Sequence, residues 1–213
     1  MAITTLNLRA LNRSDTASSG QLVTATSATA MDFQDAAGGD WVRLNTTTVS
    51  GNPSTISIDS VFSSTYKIYR LFFNDVNYST GAYQDLQFLV SGTAQTSADY
   101  EWKCVHVYGD FAASTSSHGT KNTGAGFRYT QGYSQSEADY PESGNITFYN
   151  PNDSTAYNAM TSVATCYDGS NWRIIWGAGF YNGGKIAATG IKLTLSSGNV
   201  SKGEYVMYGL KRA

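Results

Sequence analysis

Apolar side chains recur at every second position along much of the chain after Trp41, which is the pattern of β-strands that bury one face. The segment 83–91 shows this most clearly, because Leu86, Phe88 and Val90 share one face and polar residues occupy the other. Turns rich in Gly, Asn, Asp and Pro separate such segments, and no long stretch has the spacing of an amphipathic helix. The pattern therefore predicts a protein built of strands.

The alternation predicts about ten strands joined by short turns. The segment 67–76 is apolar on both faces, which predicts a central strand. Asp168-Gly169-Ser170-Asn171 and Ser196-Ser197-Gly198-Asn199 each lie between apolar segments and predict a hairpin. Many short strands with regular turns predict an all-β fold, an antiparallel β-sandwich that is jelly-roll-like. The predicted strands are 41–50, 54–59, 67–76, 83–91, 100–108, 144–149, 158–167, 172–181, 186–195 and 204–210.

Three parts of the chain differ in composition. Residues 1–38 are dominated by Ser, Thr and Ala and nearly lack aromatic residues, so we expect an extended N-terminal arm with one or two short strands. Such an arm can lie across a neighbouring subunit or form a poorly ordered terminus. Residues 39–213 form the predicted sandwich domain. Within it, residues 112–143 have weak periodicity and many Gly and Ser residues, which predicts an irregular insertion.

Charge and hydropathy exclude several partners. Charged residues make up 14% of the 213 residues and the net charge is −2, so the chain lacks the cationic stripe that nucleic acid requires. No segment approaches the roughly 20 apolar residues of a membrane span. The N-terminal residues lack the basic start and apolar run of a secretion signal, so we expect synthesis in a cytoplasm. Cys104 and Cys166 both fall in predicted strands, and cytoplasmic synthesis favours buried free thiols over a disulfide.

Catalytic and metal-binding patterns have weak support in the sequence. His106 shares a strand face with Trp102 and Cys104, which indicates a core or interface residue. His118 lies in a segment rich in Ser and Gly, and no Gly-x-Ser-x-Gly motif is present. An acidic group around Tyr140-Pro141 could supply paired carboxyls but is more typical of a solvated loop; its members are Glu137, Asp139 and Glu142. We therefore expect no enzymatic activity, cofactor or metal site.

The insertion carries the best candidates for contact with a ligand or partner. Phe127, Tyr129, Tyr133 and Tyr140 lie among Gly, Ser, Thr and Gln residues. Tyrosine in such company provides flat, amphipathic contact surface for a sugar ring or a protein. The alternative is that these rings pack on the sheet or between subunits.

Several segments, in this order, resemble a module that is common in virion structural proteins of marine and cyanobacterial tailed phages. Such proteins are described as tail-fibre-like or capsid-decorating. The resemblance covers roughly residues 40–213 and consists of strand and turn patterns. The segments are 44–59 (LNTTTVSGNPSTISID), 61–70 (VFSSTYKIYR), 86–92 (LQFLVSG), 99–100 (DY), 191–200 (IKLTLSSGNV) and 203–211 (GEYVMYGLK).

The resemblance implies a non-enzymatic structural protein on the surface of a tailed-phage virion, synthesised in the host cytoplasm. Because the arm lacks collagen-like triplets and long heptads, capsid decoration or a short head appendage is favoured. The alternatives are a tail-fibre or receptor-binding protein that contacts a host glycan or protein, and a glycan-active enzyme. The implied partners are further copies of the chain, as a homotrimer, and the major capsid protein or a tail component. Apolar residues on both faces of several strands agree with self-association.

Overall fold

The structure is a computed structural model that describes residues 21–25, 31–35, 40–108, 115–120, 125–130, 141–167 and 172–211. The chain divides into two compact units, Met1–Asp40 and Trp41–Ala213. In the first unit, strand β1 (Gln21–Ala25) pairs antiparallel with β2 (Met31–Asp35). The second unit contains two sheets.

The larger sheet has eight strands, all paired antiparallel. Its order is β3-β15-β5-β11-β12-β13-β8-β9, so the first and last strands of the unit are neighbours at one end. The segment that the sequence predicted to be central, β5, lies between β15 and β11. The strands are β3 (Trp41–Thr48), β5 (Ile68–Tyr78), β8 (Tyr100–Tyr108), β9 (Thr115–Thr120), β11 (Glu142–Tyr149), β12 (Ala159–Tyr167), β13 (Trp172–Tyr181) and β15 (Val200–Leu210).

The smaller sheet has five strands and is also antiparallel. Its order is β10-β6-β14-β4, and the two-residue strand β7 pairs with β6. The strands are β4 (Thr55–Ile58), β6 (Gln84–Val90), β7 (Thr93–Ala94), β10 (Phe127–Arg128) and β14 (Gly190–Leu195).

One hydrophobic core contains the inward-facing side chains of both sheets. Alternate residues of β12 are buried, and the residues between them are exposed or half-buried, as a strand with one covered face requires. The described residues contain no helix. The prediction of an all-β antiparallel sandwich is confirmed, and the finer description as a jelly roll stays a prediction. Large core side chains include Tyr69, Leu71, Phe88, Tyr100, Ile146, Phe148, Ile191 and Tyr205.

The predicted inner face of β8 is confirmed, because Tyr100, Trp102, Cys104 and His106 are all buried. Both cysteines are buried thiols that are not joined in a disulfide, as the sequence predicted. The Sγ atom of Cys104 lies 3.3 Å from Nε2 of His106. Burial raises the pKa of the Cys104 thiol to about 11, so the thiol stays protonated near neutral pH and is unreactive, as is usual for a cysteine in a core.

The predicted last hairpin around Ser196–Asn199 is wrong. The strand before it, β14, pairs with β4 and β6, whereas the strand after it, β15, pairs with β3 and β5. The segment therefore crosses from one sheet to the other, with Gly198 at a φ of 67°. A hairpin and a sheet crossing need the same turn residues, so the local sequence does not separate them.

Candidate functional site

The predicted contact residues Phe127 and Tyr129 lie in the core, and Tyr133 and Tyr140 lie outside the described residues. The ring of Phe127 fills a notch left by Gly177 and Gly179 on β13: a Cβ atom added at Gly179 would lie 2.7 Å from that ring. Phe127 and Tyr129 thus pack on the sheet, which was the alternative to ligand contact. Their burial does not suit contact with a sugar or an external protein.

Residues 125–130 are fixed to β6 by polar contacts as well as by Phe127. Nε2 of Gln87 donates to the carbonyl of Ala125 at 2.7 Å, and Nε of Arg128 lies 3.0 Å from Oδ1 of Asp85. These contacts explain why Gln87, on the predicted solvent face of β6, is buried. This part of the predicted irregular insertion belongs to the sandwich.

The candidate acidic group does not form a cleft around Glu142. Glu142 is fully buried, and its Oε2 atom accepts a hydrogen bond from the Tyr78 hydroxyl at 2.9 Å. The hydroxyl groups of Tyr129 and Tyr205 both donate to Oε1 of Gln84 in the same buried polar cluster. Glu137 and Asp139 lie outside the described residues, as does the side chain of His118.

The most prominent surface feature is the face of the eight-stranded sheet that points away from the core, which we call the outer face. Exposed aromatic and aliphatic side chains are concentrated there, with exposed fractions between 36% and 54%. Monomeric proteins rarely expose large contiguous apolar surface without a partner. The exposed large hydrophobic residues are Trp41, Phe72, Val105, Tyr149, Tyr157, Val163, Trp172, Trp176 and Phe180.

Strand register places some of these residues in a line across the sheet, which we call the apolar row. Val163 on β12 is directly opposite Trp176 on β13, and Trp176 is directly opposite Val105 on β8. On the other side of β12 the line continues through Asn145 on β11 to Phe72 on β5. Because opposite residues of antiparallel strands share a face, these side chains form one strip, in which Asn145 is the one polar member.

A second line, four residues further along the strands, forms an aromatic groove. Tyr149 on β11 and Phe180 on β13 stand on either side of Ala159 on β12. Since neighbouring strands lie about 4.8 Å apart, the Cα atoms of the two aromatic residues are about 9.6 Å apart, and Ala159 lies at the bottom of the groove between their rings. With Tyr157 and Ala178, these residues line a cavity of about 640 Å³.

Three charged side chains lie on the outer face between β5 and β8. Arg70 lies between the apolar row and the groove, where Nε donates to Oγ1 of Thr147 at 3.1 Å and the guanidinium lies 5.0 Å from the Trp41 ring centroid. Lys103 and Glu101 occupy the β8 side, and Oε1 of Glu101 accepts a hydrogen bond from Asn182 at 3.0 Å. This arrangement suits binding to another apolar surface more than catalysis.

Comparison of the chain with protein-family models, curated proteins and solved structures finds no match. Within the described ranges, no three His, Cys, Asp or Glu side chains are grouped so that they could hold a metal ion. The same ranges contain no helix long and apolar enough to cross a membrane.

Proposed function

We propose that this protein is a non-enzymatic structural component of the surface of a tailed-phage virion, as a capsid decoration or a short head appendage. The observation that carries the proposal is the apolar outer face, which suits contact with another protein subunit. A sandwich with a continuous aromatic core supports it, because a particle protein must persist without repair. The assignment to a tailed-phage virion rests on the resemblance found in the sequence.

Copy number in purified particles tests this role. We expect the protein in the particles at hundreds of copies, because decoration follows the repeated subunits of a capsid. Quantitative mass spectrometry against the major capsid protein measures the ratio. A few to a few dozen copies would favour a tail fibre, and absence from purified particles would contradict the virion role.

A receptor-binding role is the second candidate, and the aromatic groove supports it. Tyr149, Tyr157 and Phe180 expose ring surface on which a sugar could stack. A glycan-active enzyme has less support, because Glu142 is directed into the core rather than towards a groove. Low copy number together with host adsorption that depends on Tyr157 would favour the receptor-binding role.

The N-terminal unit provides a separate prediction. Because Met1–Asp40 is a compact unit distinct from Trp41–Ala213, deletion of residues 1–38 should leave the sandwich folded. If the arm binds a neighbouring virion protein, the shortened chain should fail to enter particles. Circular dichroism and particle incorporation measure the two properties. Unfolding of the shortened chain would show instead that the arm is needed for the domain core.

A further inference from the structure

The outer face has a two-fold pattern of residue types about β12. The strands on either side of β12 are β11 and β13, and the next pair outwards is β5 and β8. In the three rows that register defines, four of the six pairs of residues at matching distances from β12 share chemical character, whereas Asn145 with Trp176 and Ile68 with Glu101 do not.

In the groove row, Ala159 at the centre lies between the aromatic residues Tyr149 and Phe180. In the apolar row, Val163 is at the centre, and Phe72 and Val105 are both two strands away. The row between them contains small residues at its centre and a basic residue at each end. Its members are Arg70, Thr147, Thr161, Ala178 and Lys103.

We propose that the outer face binds a second copy of this chain about a two-fold axis that runs along β12. This inference rests on the proposed structural role and names the partner of the outer face. A two-fold contact uses the same patch on both subunits, so it requires a patch that is complementary to itself. Rotation about β12 places β13 of one copy over β11 of the other, so that Phe180 meets Tyr149 of the second copy. It also places Val105 over Phe72 and Trp176 over Asn145 of the second copy.

The size of the face is sufficient for a stable dimer. Its five central strands have eight to eleven residues each. At about 4.8 Å between strands and 3.3 Å per residue, they cover roughly 24 Å by 30 Å, or about 700 Å². The projecting aromatic rings add to this area. A standard interface buries about 800 Å² on each partner, so the two values agree.

The charges also fit this arrangement. The rotation brings Lys103 near Arg70 of the second copy, at the rim, where long side chains can turn apart. Glu101 lies one row away from Lys103, in the groove row, and its carboxylate is within reach of Arg70 of the second copy. The carboxylate therefore offsets the repulsion between the two basic residues.

Crosslinking of the full chain tests the position of the axis. Thr161 is exposed on β12 and lies on the proposed axis, so Thr161→Cys places two thiols opposite each other. Sheets pack about 10 Å apart, which is too far for a direct disulfide, so a short bis-maleimide is used. We expect a covalent dimer in high yield. Thr46→Cys is the matched control, because Thr46 is exposed on the same sheet at its edge strand β3 and should not crosslink.

The native protein, whose two cysteines are buried, controls for reaction at Cys104 and Cys166. Light scattering of the native protein should give a dimer. A monomer, a trimer, or a dimer that crosslinks through Thr46→Cys but not through Thr161→Cys would overturn the proposal. A trimer would instead support the homotrimer that the sequence predicts.

A disruptive substitution separates the interface from the fold. Val163→Lys places a charge at the centre of the apolar row and should weaken the dimer at least about 30-fold, the effect of a central interface residue. Ser57→Lys, exposed on the smaller sheet, should leave the dimer unchanged. Circular dichroism should show that both variants keep the strand content of the native protein; a dimer unaffected by Val163→Lys would contradict the proposal. These measurements use isolated protein, so their failure is distinct from absence of the protein from particles.

Discussion

Replacement of Phe127 with alanine is expected to lower the free energy of unfolding by about 3–5 kcal/mol, the usual loss for a large buried aromatic residue. The ring is fully buried and rests on Gly177 and Gly179, whose missing side chains leave the space that it fills. No neighbouring side chain projects from these two positions to refill the notch. Urea unfolding of the native and variant proteins measures the difference.

Tyr157→Ala is the control for this measurement, because it removes an aromatic ring that is 50% exposed. It should change the free energy of unfolding by no more than about 0.5 kcal/mol. A change below 1 kcal/mol for Phe127→Ala would mean that residues 125–130 contribute little to the core and would return Phe127 to the candidates for ligand contact.

The second large expected effect is loss of stability in alkaline solution. Burial raises the pKa of four core tyrosines above the ordinary value: Tyr78, Tyr100, Tyr129 and Tyr205. Glu142 adds to the increase at Tyr78 by its negative charge and hydrogen bond. In the unfolded chain these groups lose their protons near pH 10, whereas in the folded protein they keep them. The unfolded state therefore binds fewer protons above pH 10, and stability falls as pH rises.

Each such tyrosine contributes about 1.4 kcal/mol of destabilisation by pH 11, so the four together contribute about 6 kcal/mol. The stability that depends on these protonated hydroxyl groups is fully present below about pH 10 and is lost as pH rises towards the folded-state pKa values. Urea unfolding at intervals from roughly pH 8 to pH 11 measures the effect. Tyr205→Phe should reduce the fall by about a quarter, and Tyr157→Phe, at an exposed ring, should leave it unchanged. A stability that stays constant to pH 11 would mean that these hydroxyl groups ionise in the folded protein.

The strands could be predicted from the sequence because their period of two is local. The limits of β8 and β13 agree with the predicted segments, since turn residues bound both of them. Pairing partners could not be predicted in the same way. The turn after β14 has the composition of a hairpin, but the next strand, β15, belongs to the other sheet. Its partners β3 and β5 are distant in sequence, so the local pattern does not reveal this pairing.

The candidate contact residues show the same limit. Phe127 and Tyr129 lie in a segment of Gly, Ser and Thr, which is typical of an exposed loop. Their burial depends on two glycines of β13, about 50 residues further along the chain, and composition near the rings does not reveal that contact. The outer face was partly foreseen, because apolar residues on both faces of several strands predicted self-association. The register of β11, β12 and β13 determines which rings lie together, and this register is not visible in the local sequence.

The pairing of β3 with β15 has a consequence for synthesis of the chain. The first strand of the sandwich pairs with the last one, and β15 also separates β3 from β5. During translation, residues 41–78 therefore emerge long before the strand that joins them exists. Because such long-range pairings form late and slowly, β3 and β5 must wait until β15 emerges from the ribosome. Synthesis of β15 thus determines when the eight-stranded sheet can close, and termination before β15 leaves β3 and β5 without their shared partner.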